Sequence, residues 1–264
     1  MKLMLRLAAV FLPVCLLVGC AMSPSSQSRA QAPASQEVVL GEARTRAKAH
    51  TDLGFEYYAQ NQFGVALKEA KTALNHDNNY TPAYNLLALV YMSLGDDKSA
   101  EEAFLRARQL SPGDPEIANN YGLFLCRTKR VQQSFPYFNE ALQNTLYPTP
   151  WEALTNYAEC SLQVKDYNAA ETHLQRALAL IPNNARALFL MAKVKYQQKQ
   201  YEEARGYITE LHRNSKPNAA SSFLAYCIAR LTGNRDDEAR YLAQMHKKFP
   251  DSDEYRKLLQ GALE

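Results

Sequence analysis

From about residue 47 onward the chain repeats itself, and the repeat is carried by its smallest side chains. Aligning Gly54, Ala88, Gly122, Ala158, Ala192 and Cys227 gives spacings of 34, 34, 36, 34 and 35 residues. Twelve residues after each of these stands another small residue: Ala66, Ala100, Ser134, Ala170, Ala204 and Ala239. A third follows seven later in four units, at Ala73, Ala107, Ala141 and Ala177, while Leu211 and His246 take that place in the last two. Bulky residues such as Tyr84, Leu87, Tyr91 and Phe104 fill the intervals. The physical sense is close packing. Small residues let two antiparallel helices cross tightly, and the large ones fill the space around the crossing and between neighbouring units. Few glycines and a supply of Ala, Leu, Glu, Lys and Gln favour helix over sheet.

This pattern resembles the tetratricopeptide (TPR) repeat, whose period is 34 residues. The resemblance implies an all-α, right-handed superhelical solenoid. Six helix pairs start near residues 47, 81, 115, 151, 185 and 220, and a capping helix spans 252–263. Thr81-Pro82, Asp114-Pro115 and Thr149-Pro150 each place a capping side chain before a proline at a helix start. Thr149 with Glu152 has the spacing of a capping box. Pro112, Pro182, Pro217 and Pro250 close second helices. Tyr255, Leu258, Leu259 and Leu263 give the capping helix one apolar face over the last unit.

The first nineteen residues read as a leader. Lys2 and Arg6 precede the apolar stretch Leu7–Val18, which is too short for the roughly 20 residues a bilayer requires. Leu17-Val18-Gly19-Cys20 resembles a bacterial lipobox, which implies cleavage before Cys20 and lipidation of its thiol. Two or three acyl chains hold firmly where one does not. Residue 21 is Ala, not the Asp that such lipoproteins use for inner-membrane retention, so the expected address is the periplasmic face of the outer membrane. Residues 20–40, rich in Ser, Pro, Gln and Ala, read as the lipidated cysteine and a flexible tether with an end-to-end distance of roughly 25 Å, and 41–264 as the repeat domain. Without Lys2 and Arg6 the chain carries 28 basic and 27 acidic side chains and no basic run, which speaks against nucleic acid as a partner.

Cys126 and Cys160 fall on the first helices of units three and four, which lie side by side, and are candidates for a disulfide in an oxidising compartment; two buried free thiols are the alternative. Cys227 takes a small-residue position. The five histidines, His50, His76, His173, His212 and His246, never stand three or four apart, so no metal pair forms along a helix. His173 reads as a surface residue. Gly-rich phosphate loops, nucleophile elbows and Cys-x-x-Cys pairs are absent from the sequence. Acid pairs such as Glu101-Glu102, Glu202-Glu203 and Asp236-Asp237 stand at the starts of second helices, where they complement the helix dipole. The expectation is a non-enzyme with neither cofactor nor small-molecule substrate.

In TPR arrays the fifth, ninth and twelfth positions of first helices commonly line a concave groove. Carried onto this chain they are Thr51, Phe55 and Tyr58, then Asn85, Leu89 and Met92, then Asn119 and Leu123. The result is an apolar strip with two asparagines suited to holding an extended backbone or capping a helix end. Two stretches narrow the resemblance. Asn119-Asn120-Tyr121-Gly122-Leu123-Phe124-Leu125-Cys126, and Tyr147-Pro148-Thr149-Pro150 followed by Asn156 and Cys160, resemble the type IV pilus biogenesis lipoproteins of the PilF/PilW pilotin family. Ser161 and Lys195 depart from the repeat pattern, standing where bulky apolar residues are usual. The resemblance implies a pilotin that binds the pilus secretin subunit and promotes its outer-membrane localisation and multimerisation. The rival expectation is a TPR scaffold lipoprotein for β-barrel insertion or recruitment of peptidoglycan enzymes.

Overall fold

The computed structural model describes residues 34–261, with side chains from residue 41. The lipobox, Cys20, the tether up to 33 and Leu263 lie outside the described residues. Contacts divide the chain into Met1–Val39 and the compact unit Leu40–Glu264. Of the former only the start of one helix is described.

Thirteen helices and no strand are present among the described residues. They form six pairs and a last short helix: α1 (Ala34–Ala59) with α2 (Phe63–His76), α3 (Thr81–Leu94) with α4 (Asp97–Leu110), α5 (Pro115–Arg127) with α6 (Val131–Gln143), α7 (Pro150–Gln163) with α8 (Tyr167–Leu180), α9 (Ala185–Gln197) with α10 (Tyr201–Asn214), α11 (Ala219–Leu231) with α12 (Arg235–Lys248), then α13 (Asp253–Leu259). First helices of successive units touch one another, α3 with α5, α5 with α7, α7 with α9 and α9 with α11, whereas second helices make at most marginal contact among the described residues. A stack held closer along one row of helices curves toward that row. The first helices therefore line the concave side of an all-α superhelix.

Helix ends follow local chemistry. Asp96, Asp114, Asp166, Asn184, Asn218, Asn234 and Ser252 each accept a backbone N–H of the helix they precede. Each turn inside a unit passes through one left-handed residue, in order Asn61, Gly95, Lys129, Lys165, Lys199 and Gly233. Ala66, Ala100, Ser134, Ala170 and Ala204 are wholly buried, as are Ala88, Ala158 and Ala192 across the crossings. Phe104, Phe124, Phe138, Leu154, Leu174, Met191 and Ile208 fill the core between them.

Five expectations need correction. The capping helix ends at Leu259 and not at residue 263, and Leu259 is 67% exposed, so it does not cover the last unit. The first helix begins at Ala34, so residues 34–40 belong to it and not to a tether. That stretch holds neither Gly nor Pro and is built mainly of Ala, Gln, Glu, Val and Leu, so nothing halts the helix before the core begins. Thr81 is itself helical behind Tyr80, and Thr149 makes no side-chain cap. At Thr149 only the carbonyl closes the turn, to Glu152 N. In unit six Ala239 and His246 face water, and Tyr241 and Met245 are buried instead. The second helices start at 201 and 235, a step of 34, so the step of 35 is one residue too long there and turns the assigned residues off the buried face. His173 is half-buried, its ring 3.9 Å from that of Tyr157.

Candidate functional site

Along the concave side, α1, α3, α5, α7 and the start of α9 line an open cavity of about 400 Å³. Tyr58, Leu89, Met92, Leu123 and Trp151 supply its apolar walls. Asn119, Asn120, Thr155 and Asn156 supply polar groups, and Arg127, Glu152 and Arg186 charge its rim. A neighbouring cavity of about 290 Å³ is lined by Phe55, Asn85, Arg44, Tyr80, Asp114, Glu116 and Ile117 among others. Of the eight groove positions read from the repeat, Tyr58, Leu89, Met92, Asn119 and Leu123 thus share the larger cavity, while Phe55 and Asn85 line the smaller. Thr51 lines neither. It is 1% exposed, and its hydroxyl donates to the carbonyl of Ala47 at 2.8 Å, a helix-internal bond.

The walls are partly structural. Leu89 is buried in one cluster with Ala100, Phe104, Tyr121 and Phe124, against which Phe55, Tyr58 and Met92 pack. The Tyr58 hydroxyl also meets Ser93 Oγ at 3.1 Å, tying α1 to α3. Met92 and Leu123 keep more exposure and are the apolar side chains a partner meets first.

The asparagines depart from their expected role. Asn85 Nδ2 donates to Glu116 Oε1 at 3.2 Å, and Asn120 Nδ2 to Asn85 Oδ1 at 3.2 Å. Asn119 Nδ2 reaches Asn120 Oδ1 at 3.5 Å, and Asn156 Nδ2 donates to Asn119 Oδ1 at 2.9 Å. Asn85 and Asn119, 3% and 1% exposed, help tie α3 to α5 and α5 to α7 and do not wait with both polar ends free for a partner. Sequence reasoning missed Trp151, Thr155 and Asn156 on α7 and Asn120 on α5. Extending the fifth-position rule to unit four finds Thr155; the sixth position, Asn120 and Asn156, needed the helix stacking to be seen.

Cys126 and Cys160 are joined by a disulfide with their Cα atoms 5.9 Å apart, linking α5 to α7 beside the larger cavity. Gln163 Nε2 donates to Cys126 Sγ at 3.1 Å. Cys227 is free and buried, and burial pushes its thiol up to about 12, so it stays protonated at neutral pH. Lys195, 6% exposed, meets Glu171 Oε1 at 2.7 Å and Glu203 Oε2 at 3.0 Å. Burial alone would lower its pKa, but the two carboxylates outweigh it and raise it. The unusual lysine of unit five is therefore an ion-paired clasp between α8, α9 and α10. Glu101 likewise does more than complement a dipole, accepting from Arg130 Nη1 at 2.6 Å and from the Tyr121 hydroxyl at 3.2 Å. Among the described residues, no three His, Cys, Asp or Glu side chains converge as a metal site, and no helix is long and apolar enough to cross a membrane.

Comparison with known proteins agrees with this architecture. A tetratricopeptide-repeat family model matches residues 57–122 and 161–214. The type IV pilus assembly protein PilF of Pseudomonas aeruginosa is 30% identical over 251 residues, covering 95% of this chain and 96% of that one. The crystal structure of PilW, a widely conserved type IV pilus biogenesis factor, superposes with a TM-score of 0.75 at 32% identity, over 81% of this chain and 98% of PilW. The Pseudomonas aeruginosa PilF structure gives 0.73 at 29% identity, over 84% and 99%. A likeness to the APC/C hetero-tetramer Cut9–Hcn1, at 16% identity, is one of fold alone. A concave array of six helix pairs, matched along nearly its whole length by proteins of one pilus system, places this chain in the PilF/PilW family of type IV pilus biogenesis TPR proteins.

Proposed function

We propose that this protein is a pilotin: a lipoprotein anchored through Cys20 to the periplasmic face of the outer membrane, which binds the type IV pilus secretin subunit and promotes its delivery and ring assembly there. The observation that carries the reading is the concave cavity of about 400 Å³ walled by Tyr58, Leu89, Met92, Leu123 and Trp151. Such a surface covers an apolar segment of a client that would otherwise aggregate. A lipid anchor then carries the masked client to its membrane. A short tether keeps it there at high effective concentration. The work is binding and release, with no covalent step.

The test is deletion and replacement. Without the gene, secretin multimers resistant to SDS disappear from the outer membrane and twitching stops; the native chain restores both. Cys20→Ala leaves the protein in the soluble periplasmic fraction and fails to restore the multimers. Mass spectrometry of proteins co-purified with the lipidated chain recovers the secretin. Persistence of the multimers in the deletion strain refutes the proposal, and recovery of β-barrel insertion factors or peptidoglycan enzymes in its place favours a different scaffold role.

A further inference from the structure

Units five and six repeat the groove positions with a different chemistry. The fifth, ninth and twelfth residues of α9 are Phe189, Lys193 and Tyr196, and the fifth of α11 is Phe223. With Glu254 and Lys257 of α13 they line a third open cavity, of about 240 Å³. That is less than the roughly 300 Å³ where sites for drug-sized molecules begin, so it suits one large side chain. The three aromatic rings pack with one side on the core of these units and keep the other partly exposed. Aromatic walls favour an aromatic guest, because offset and edge-to-face pairing of rings adds to area burial. The rim is basic. Lys193 and Lys257 are exposed and make no ion pair among the described residues, and Glu254 is the one carboxylate on the lining. Other charges nearby are engaged: Lys195 with Glu171 and Glu203, Arg256 with Asp253, and Arg230 with the Tyr226 hydroxyl. Lys193 Nζ stands 5.8 Å from the centre of the Phe189 ring, so a carboxylate that meets it lies beside the aromatic wall. Arg186, three residues before Phe189 on α9, lines the larger cavity, so the two cavities adjoin, about one helical turn apart.

From this we infer that the cavity of units five and six is a second docking point for the partner held in the larger cavity, and that it takes an aromatic side chain flanked by acidic residues. The inference rests on the pilotin reading for the partner's identity only. The partner's ring enters among Phe189, Tyr196 and Phe223, and carboxylates beside it reach Lys193 and Lys257. An aliphatic side chain would fill the space without pairing of rings, and a basic neighbour would meet two uncompensated ammonium groups. Each point alone binds weakly. Joined in one chain they reinforce each other, because the first contact sets the effective concentration for the second. The pair also gives direction. An apolar stretch at Met92 and Leu123 with an acidic aromatic stretch at units five and six fits one way round and not the other.

The test uses the mature protein in detergent with two peptide sets, one tiling the secretin and one a random library. Binders are sorted by the variant that loses them. Lys193→Glu combined with Lys257→Glu, on exposed side chains, should weaken one class of peptides about tenfold at low salt and less at high salt. That class should carry an aromatic residue next to Asp or Glu. Remade with Lys in place of those acids, its members should bind the charge-reversed protein and lose the native one. Exchanging the aromatic residue for Ala should cost about tenfold against native protein and less than twofold against Phe223→Ala. Circular dichroism and thermal melts establish that each variant is folded, and the charge exchange decides the matter by itself if Phe223→Ala is not. A member of the class linked to a peptide that Met92→Glu weakens should bind about tenfold more tightly than either half. The inference is overturned if no peptide responds to the lysine reversal, if those that respond lack the acidic aromatic pattern, or if linkage gains nothing. Binders of that pattern from the library, with no secretin tile among them, sustain the cavity's preference and sink the pilotin reading of its partner.

Discussion

The backbone of Gly122 on α5 lies against the ring of Phe138 on α6 so closely that a methyl group at residue 122 would stand 2.8 Å from Cε1. Phe138 is wholly buried and has no room to retreat. Gly122→Ala should lower the melting temperature by a few degrees, because overpacking of about 1–3 kcal/mol exceeds the roughly 1 kcal/mol that alanine gains in a helix. Gly206→Ala, whose added methyl meets nothing within 4 Å, should raise it. A stabilised Gly122→Ala protein would disprove the tight crossing.

Left-handed turn residues make a second series. Lys165 at φ 59° and Lys199 at φ 62° occupy the place that Gly95 fills at φ 77°. A side chain there costs roughly 1 kcal/mol or more, so Lys165→Gly and Lys199→Gly should each stabilise by up to about 1 kcal/mol in thermal melts. Gly95→Val should destabilise.

The disulfide closes a loop of 34 residues between α5 and α7. Reduction, or Cys126→Ser with Cys160→Ser, should cost up to roughly 3–4 kcal/mol by the chain-entropy estimate. Unfolding with and without reductant measures it. The double variant should also bind partner more weakly, since both helices line the cavity.

His173 carries a pH dependence. Burial, with a smaller contribution from Arg176, holds its pKa below the ordinary 6.5, and its Nδ1 is buried without a partner. His212 is lowered likewise by burial and then by Arg240. The unfolded chain therefore binds protons more readily than the fold. Stability is full above pH 6.5 and declines as pH falls below it. Melting temperatures from pH 7.5 to 5 should show the decline, and His173→Gln should flatten part of it.

Within the cavity, exposure decides which substitution reports on binding. Leu89 is a buried member of the core cluster, so a charge there destabilises the array as well. Met92→Glu and Leu123→Glu, on side chains only partly buried, should reduce client binding by tenfold or more with melting changed little. Unchanged binding in both would remove this cavity from consideration.

The small-residue repeat was legible because close crossing of helices tolerates few side chains, and Ala66, Ala100 and Ala170 announce it in the sequence. Unit six was misread by one residue, since its small residue, Ala239, stands one place past the register position, which Glu238 occupies, and only the packing of Tyr241 and Met245 tells which face turns inward. Thr149 shows the same limit for caps, where the residue type and spacing are right and the side chain makes no cap.

Local chemistry written along the chain was enough to specify helix pairs, their period and the row of helices that faces a partner, because each depends on neighbours at most one unit away. What tertiary structure alone decided is the run of amide hydrogen bonds from Glu116 to Asn156, the burial of Lys195 between two carboxylates and the division of the groove into separate cavities. Most of those contacts bring side chains 24 to 37 residues apart within hydrogen-bond distance, as Lys195 with Glu171 and Asn119 with Asn156. Periodicity brings such residues near one another but does not set which atom faces which.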